Sequence, residues 1–140
     1  QTLSLTTVGS LRVGDAVNIE HAATTATLLG GHLVQGHVDG MGEVLSVSMA
    51  GGEWRTRIAA PASVAPYLLE RGSVAVDGVS LTLAAVGNGW FEVALIPATL
   101  AKTTLRDRAA GCRVNLEADH LAKMVAEQVR RAMAAAATRP

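Results

Sequence analysis

His32 and His37 stand five residues apart in GGHLVQGHVDGMGEV (residues 30–44), the densest gathering of chemically useful groups in the chain. An imidazole titrates near neutral pH, so either ring could accept or deliver a proton. Two ligands to one metal want a spacing of three or four on a helix, or an even spacing on a strand. A spacing of five needs irregular backbone between them, and no cysteine or third ligand lies near. Hydrogen bonding or acid–base work by one histidine fits better, with a structurally satisfied imidazole as the plain alternative. Around them Gly30, Gly31, Gly36, Gly40 and Gly42 remove side chains that a core could use and leave the main chain bare. DGMGEV lacks the third glycine and the following helix of a dinucleotide fingerprint. Downstream, VDGVSLTL carries Asp77-Gly78, a two-residue hairpin signal, followed by Ser80 and Thr82 with their hydroxyls on one strand face. In IPAT (96–99), Pro97 ends a strand. Amides released there, with the Thr99 hydroxyl, could hydrogen-bond the edge of a heterocycle.

Short strands must position these groups. DAVNIE, GHVDGMGEVLSV, EWRTRIAA, SVAVDG, VSLTLAAV, WFEVALI and CRVNLE are β-rich and bounded by Gly, Pro, Asn or Ser. PASVAPYLLE (61–70) permits a short helix with Pro61 in its first turn. So many short, closely spaced strands predict an all-β fold, a small antiparallel barrel. From Asp119, a good N-cap residue, Leu121, Met124, Val125, Val129, Ala132 and Met133 recur at helical spacing. This C-terminal helix must bury its apolar stripe, either against its own barrel or against the same helix of other subunits.

The 140 residues suit one domain, 49% apolar and 17% charged, with twelve basic residues balancing twelve acidic ones. Such a chain is globular, and nothing in its charge calls for nucleic acid or an anionic membrane as partner. The 3% of aromatic residues are too scattered for a base-stacking platform. Cys112 is the single cysteine, and the apolar runs are broken by Gly, Pro or charge. We therefore expect no disulfide and no membrane span, a cytoplasmic setting, and a small molecule as ligand.

The chain also repeats itself. Residues 1–20 align without a gap on residues 98–117 at an offset of 97, with identities at Thr2, Leu3, Thr6, Thr7, Gly14, Val17, Asn18 and Glu20. In the second copy this segment closes a unit that begins near residue 21. The expected organisation is thus 1–20 as the tail of a preceding, mostly missing barrel, 21–118 as a barrel, and 119–140 as an oligomerisation helix.

Taken in order, GGHLVQGHVDGMGEV, RGSVAVDGVSLTL, FEVALIPATLAKTTL and VNLEADHLAK resemble the second barrel of riboflavin synthase of the α-chain type, and residues 1–20 resemble the end of that family's first barrel. The resemblance implies two six-stranded Greek-key barrels per subunit, a homotrimer, and an association with lumazine synthase. It implies that two molecules of 6,7-dimethyl-8-ribityllumazine exchange a four-carbon unit, giving riboflavin and a ribitylamino-pyrimidinedione, without a redox cofactor or metal. The ring would lie between the first barrel of one subunit and the second barrel of a neighbour. Carried over by position, the ring-binding segments are Gly36-His37-Val38, Ser80-Leu81-Thr82 and Ala94-Leu95-Ile96-Pro97-Ala98-Thr99, with Thr2 a remnant of the first barrel's ligand loop. His37 would assist proton transfer, Ser80 and Thr82 would hold the ring or polarise a water, and His32 and Asp119 would support the site from behind. Arg71 stands where the family usually has Lys, a planar fork in place of a point donor near the ligand. A non-catalytic lumazine- or flavin-binding relative is the alternative.

Overall fold

Alternating apolar and polar residues become six strands in the computed structural model, which describes residues 2–137. They are β1 (Gly40–Ala50), β2 (Glu53–Ala59), β3 (Ser73–Val76), β4 (Val79–Gly87), β5 (Trp90–Leu95) and β6 (Arg113–Ala118). All pair antiparallel and close into a barrel in the order β1-β2-β5-β4-β3-β6. Three successive hairpin strands, β3 to β5, with β2 returning beside β5, make the Greek key. Asp77 and Gly78 both have positive φ, 47° and 78°, the backbone a tight β3–β4 hairpin demands. That hairpin fixes the register Val76 to Val79 and Ala75 to Ser80. Period-two alternation then sends Val74, Val76, Leu81, Leu83, Phe91, Val93, Val114 and Leu116 inward, where all are buried. Each such side chain contributes about 1.5–3 kcal/mol of burial. The core cluster lies wholly within residues 44–118, so the barrel owns its core.

Four expected segments differ. Residues 61–70 form only a 3-10 turn at Ala65–Tyr67, because Pro66 falls inside the stretch and tightens it. Pro97 opens a short helix instead of a loop with free amides. With α1 (Thr2–Leu5) at the start of the chain, this helix is α2 (Pro97–Lys102), and the Thr99 and Leu100 amides both bond Ile96 O. Residues 15–20 are not a strand, although their copy, 112–117, supplies most of β6; no neighbouring strand pairs with them. Residues 36–39 precede β1, their backbone engaged otherwise, as described below. The terminal helix is α3 (His120–Ala137), with Asp119 accepting the Leu121 amide at 2.9 Å as its N-cap. Gln1 of the tail and residues 138–140 of the expected helix lie outside the described residues.

Local geometry recurs between the two segments at Thr6 and Thr103. Thr6 and Thr103 have the same φ and ψ, −131° and 164°, and each accepts the amide two residues on while donating to the carbonyl four residues back. The copies are also bonded reciprocally: Thr7 N–H donates to Asn115 Oδ1 at 2.7 Å, and Thr104 N–H donates to Asn18 Oδ1 at 2.8 Å. Since 7 maps to 104 and 18 to 115, the contact is its own image under exchange, the pattern of a local twofold axis. Asn18 Nδ2 donates to the Asp77 main-chain carbonyl, while the Asp77 carboxylate accepts the Asn115 amide and Arg108.

Candidate functional site

The register aligns Glu117, Ala75 and Ser80 across β6, β3 and β4. Their sequence neighbours fill the core, so these three face outward. The glycine-rich segment lies across this row. A Cβ on Gly31 would sit on the Ser80 hydroxyl, so only glycine lets the backbone come this close. Ser80 Oγ accepts the His32 amide at 3.1 Å and lies 2.7 Å from His32 Nδ1. When the hydroxyl donates to Nδ1, the ring hydrogen sits on Nε2, a buried atom without a partner among the described residues. Farther along, the Gln35 and Gly36 amides donate to the two oxygens of Glu117 at 2.8 and 2.9 Å. Gly36 has φ +75°, the left-handed turn that aims consecutive amides at one carboxylate. Asp39 closes the segment: its amide bonds Leu116 O at 2.9 Å, and its carboxylate accepts the Ala118 amide and Lys123 Nζ, each at 2.8 Å. His37 stands exposed between these anchors.

Two hollows border the segment. One of about 670 Å³ is lined by Ile19, His21, Gly31, His32, Gly36 and Ser80, among others; another, of about 440 Å³, by Thr2, Thr6, Gly36, His37, Val38 and Asn115. Only Gly36 borders both: it joins Ser80 at the larger hollow, while His37 and Val38 line the smaller one with Thr2 from the tail. Pro97 lines a different hollow, with Trp54 and Arg106. Thr82, Ala94, Ile96 and Ala98 are exposed, with Thr99 half-buried in α2. Leu81 and Leu95 turn inward and belong to the core, so their side chains cannot touch a ligand on the outer face. Arg71 is exposed with φ 65°, and its amide bonds Leu83 O. Asp119 serves as the α3 cap.

Sequence reasoning singled out His37, whereas the hydrogen-bonded partner of Ser80 is His32. It missed Glu117 and Asp39, which read there as ordinary strand and turn residues. The repeat held a usable signal, because Glu117 is copied from Glu20 at the offset of 97.

Residues 35–119, which contain these anchors and every strand, match the model of the lumazine binding domain. This chain belongs to the lumazine-binding domain family. The lumazine-binding barrel is 48% identical over 136 residues to riboflavin synthase of Mycobacterium tuberculosis, covering 94% of this chain and 67% of that protein. It is 42% identical to riboflavin synthase of Photobacterium phosphoreum, covering 89% and 57%. The chain therefore spans 57–67% of the length of these relatives. In fold it is similar to LumP in complexes with riboflavin (TM-score 0.73, 24% identity, 83% of this chain and 63% of that one) and with 6,7-dimethyl-8-(1'-D-ribityl) lumazine (TM-score 0.70, 24% identity, 81% and 61%). Among the described residues no helix of the lumazine-binding barrel is long and apolar enough to cross a membrane.

Proposed function

We propose that this barrel contributes one half-site of a riboflavin synthase, in which two molecules of 6,7-dimethyl-8-ribityllumazine exchange a four-carbon unit to give riboflavin and 5-amino-6-ribitylamino-pyrimidinedione. The observation that carries the reading is the Ser80–His32 pair under a glycine-bared segment, beside a cavity of about 670 Å³, in a chain 48% identical to a riboflavin synthase. A flat heterocycle can rest against main chain only where side chains are missing, and residues 30–36 supply that surface. Thr82 has an exposed hydroxyl for a ring oxygen or a water, and Ser80 would hold the ring by turning its hydroxyl proton from His32 Nδ1 toward it. His37, exposed at the tip of the segment, can relay a proton to or from the ring's acidified methyl group. Gly36, Val38, Ala94, Ile96, Pro97, Ala98 and Thr99 would frame the ring, with Leu81 and Leu95 offering main chain only. Thr2 would belong to the site of a preceding barrel, and Arg71 would reach a ribityl oxygen.

Juxtaposing two rings supplies most of the catalysis, since orientation alone can lower a barrier by several kcal/mol. No metal or redox group is part of this reading. The second ring would come from a partner barrel, in a homotrimer held by α3, whose Leu121, Val125, Val129 and Met133 are more than half exposed along one stripe. Association with lumazine synthase and a cytoplasmic setting belong to the same proposal. A purely binding role is less well supported, because identity to the synthases is 38–48% against 24% to LumP.

Titrating the chain with riboflavin and following flavin fluorescence tests the half-site. A saturable change is expected, and its absence would overturn the assignment. In a two-barrel protein, His37→Ala should lower kcat more than it weakens ligand binding; the reverse order would make His37 a ring contact only.

A further inference from the structure

Glu117 is 5% exposed, and a carboxylate so placed is costly unless its charge is met. Its two oxygens are met by the consecutive amides of Gln35 and Gly36 at 2.8 and 2.9 Å, charge-assisted bonds of the stronger kind. The next residue is His37. Two residues on, Asp39 is held by the neighbouring positions of β6, through Leu116 O and the Ala118 amide. Residues 116–118 therefore grip the chain on both sides of His37. Neither grip uses the imidazole, which is left exposed on a backbone tied on both sides. The Asp39 side is buttressed further by Lys123, which ties it to α3 at 2.8 Å.

We infer that Glu117 is a positioning residue: its carboxylate docks the Gln35–Gly36 peptide and so fixes His37 at the smaller hollow, which adjoins the proposed ligand surface through Gly36. This deepens the function proposed above and rests on it for the identity of the ligand. Glu117 touches no substrate. Removing its charge would free the loop while leaving the barrel, whose core lies on the opposite face of β6, in place. The repeat gives Glu20 the same standing toward a preceding barrel.

The test is Glu117→Gln in the whole chain. The amide of Gln is isosteric with the carboxylate, but it turns one acceptor into a donor facing a peptide N–H. Hydrogen exchange at the Gln35 and Gly36 amides should accelerate by about tenfold or more, the effect of losing a bond to a charged group, while the Val74, Val93 and Val114 amides keep their protection. Riboflavin affinity should weaken by about tenfold, and the riboflavin-induced shift of the His37 ring resonances should disappear. Unchanged exchange at residues 35 and 36, or an unchanged His37 response, would overturn the inference. Loss of protection throughout the barrel would also overturn it, by making Glu117 a general stability residue. If the wild-type chain fails to bind riboflavin, the proposed function falls, and amide exchange alone decides whether the grip exists.

Discussion

Ser80 carries the tightest constraint in the candidate site. Its hydroxyl meets both the backbone and the ring of His32, and the approach is open only because residue 31 has no side chain. Gly31→Ala is thus a sharper probe than a change at Ser80 itself, since it leaves every polar group in place and moves the backbone away. The added methyl must displace either the hydroxyl or the segment, at about 1–3 kcal/mol for a small overpacking. Riboflavin affinity should fall with it by about tenfold or more, given that each 1.4 kcal/mol is tenfold. A titration of the variant alongside thermal unfolding checks both. The same change at Gly30, where a Cβ meets nothing within 4 Å, should do neither.

On the outer face of β2 and β5, Arg55 and Arg57 both reach Glu92, at 2.8 and 3.2 Å, while the Arg57 guanidinium stacks 4.1 Å over Trp90. The hydrogen bond from Arg55, with further help from Arg57, holds the Glu92 carboxyl below its usual 4.5. A lowered folded value means that the cluster stabilises the sheet above the unfolded carboxyl's range and stops doing so as pH falls through the lower folded value. The melting temperature should therefore drop more in the wild type than in Glu92→Gln as pH falls below the usual carboxyl value of 4.5, as a pH series of melting curves will show. Elements like these were open to reading from sequence: β2 to β6 follow local alternation and turn residues, and Asp77-Gly78 takes the backbone its type favours. The rest was decided at a distance. Residues 36–39 alternate like a strand, yet Glu117, 81 residues away, claims the Gly36 amide. Residues 97–102 turn helical because Pro97 suits a first helical position as well as it ends a strand. The site was legible in its hydroxyls and glycines. Its pairing was not, for nothing local tells which histidine lies 48 residues from its serine in the chain and 2.7 Å from it in space.

Across the whole molecule, the two copies of the repeat share local geometry in their helical first halves and part company after them, in structure and in burial. Val114 and Leu116 are fully buried in the core, while their counterparts Val17 and Ile19 are 51% and 89% exposed. A repeated inward-facing pattern would suit an interior, and we propose that the tail meets one where the other strands of a second barrel are supplied. In that proposal the reciprocal Asn–Thr bonds would tie the two barrels together. The consequence can be measured by comparing one substitution at both sites. In the present chain Leu116→Ala should cost about 2–5 kcal/mol, as for a large core residue cut back, and Ile19→Ala about 0.5 kcal/mol or less, as for a surface change. In a protein that carries both barrels, Ile19→Ala should rise to the cost of its twin. Denaturant unfolding of the four variants decides the matter: if Ile19→Ala stays near zero with a full first barrel present, the tail is a linker that copies the pattern without using it.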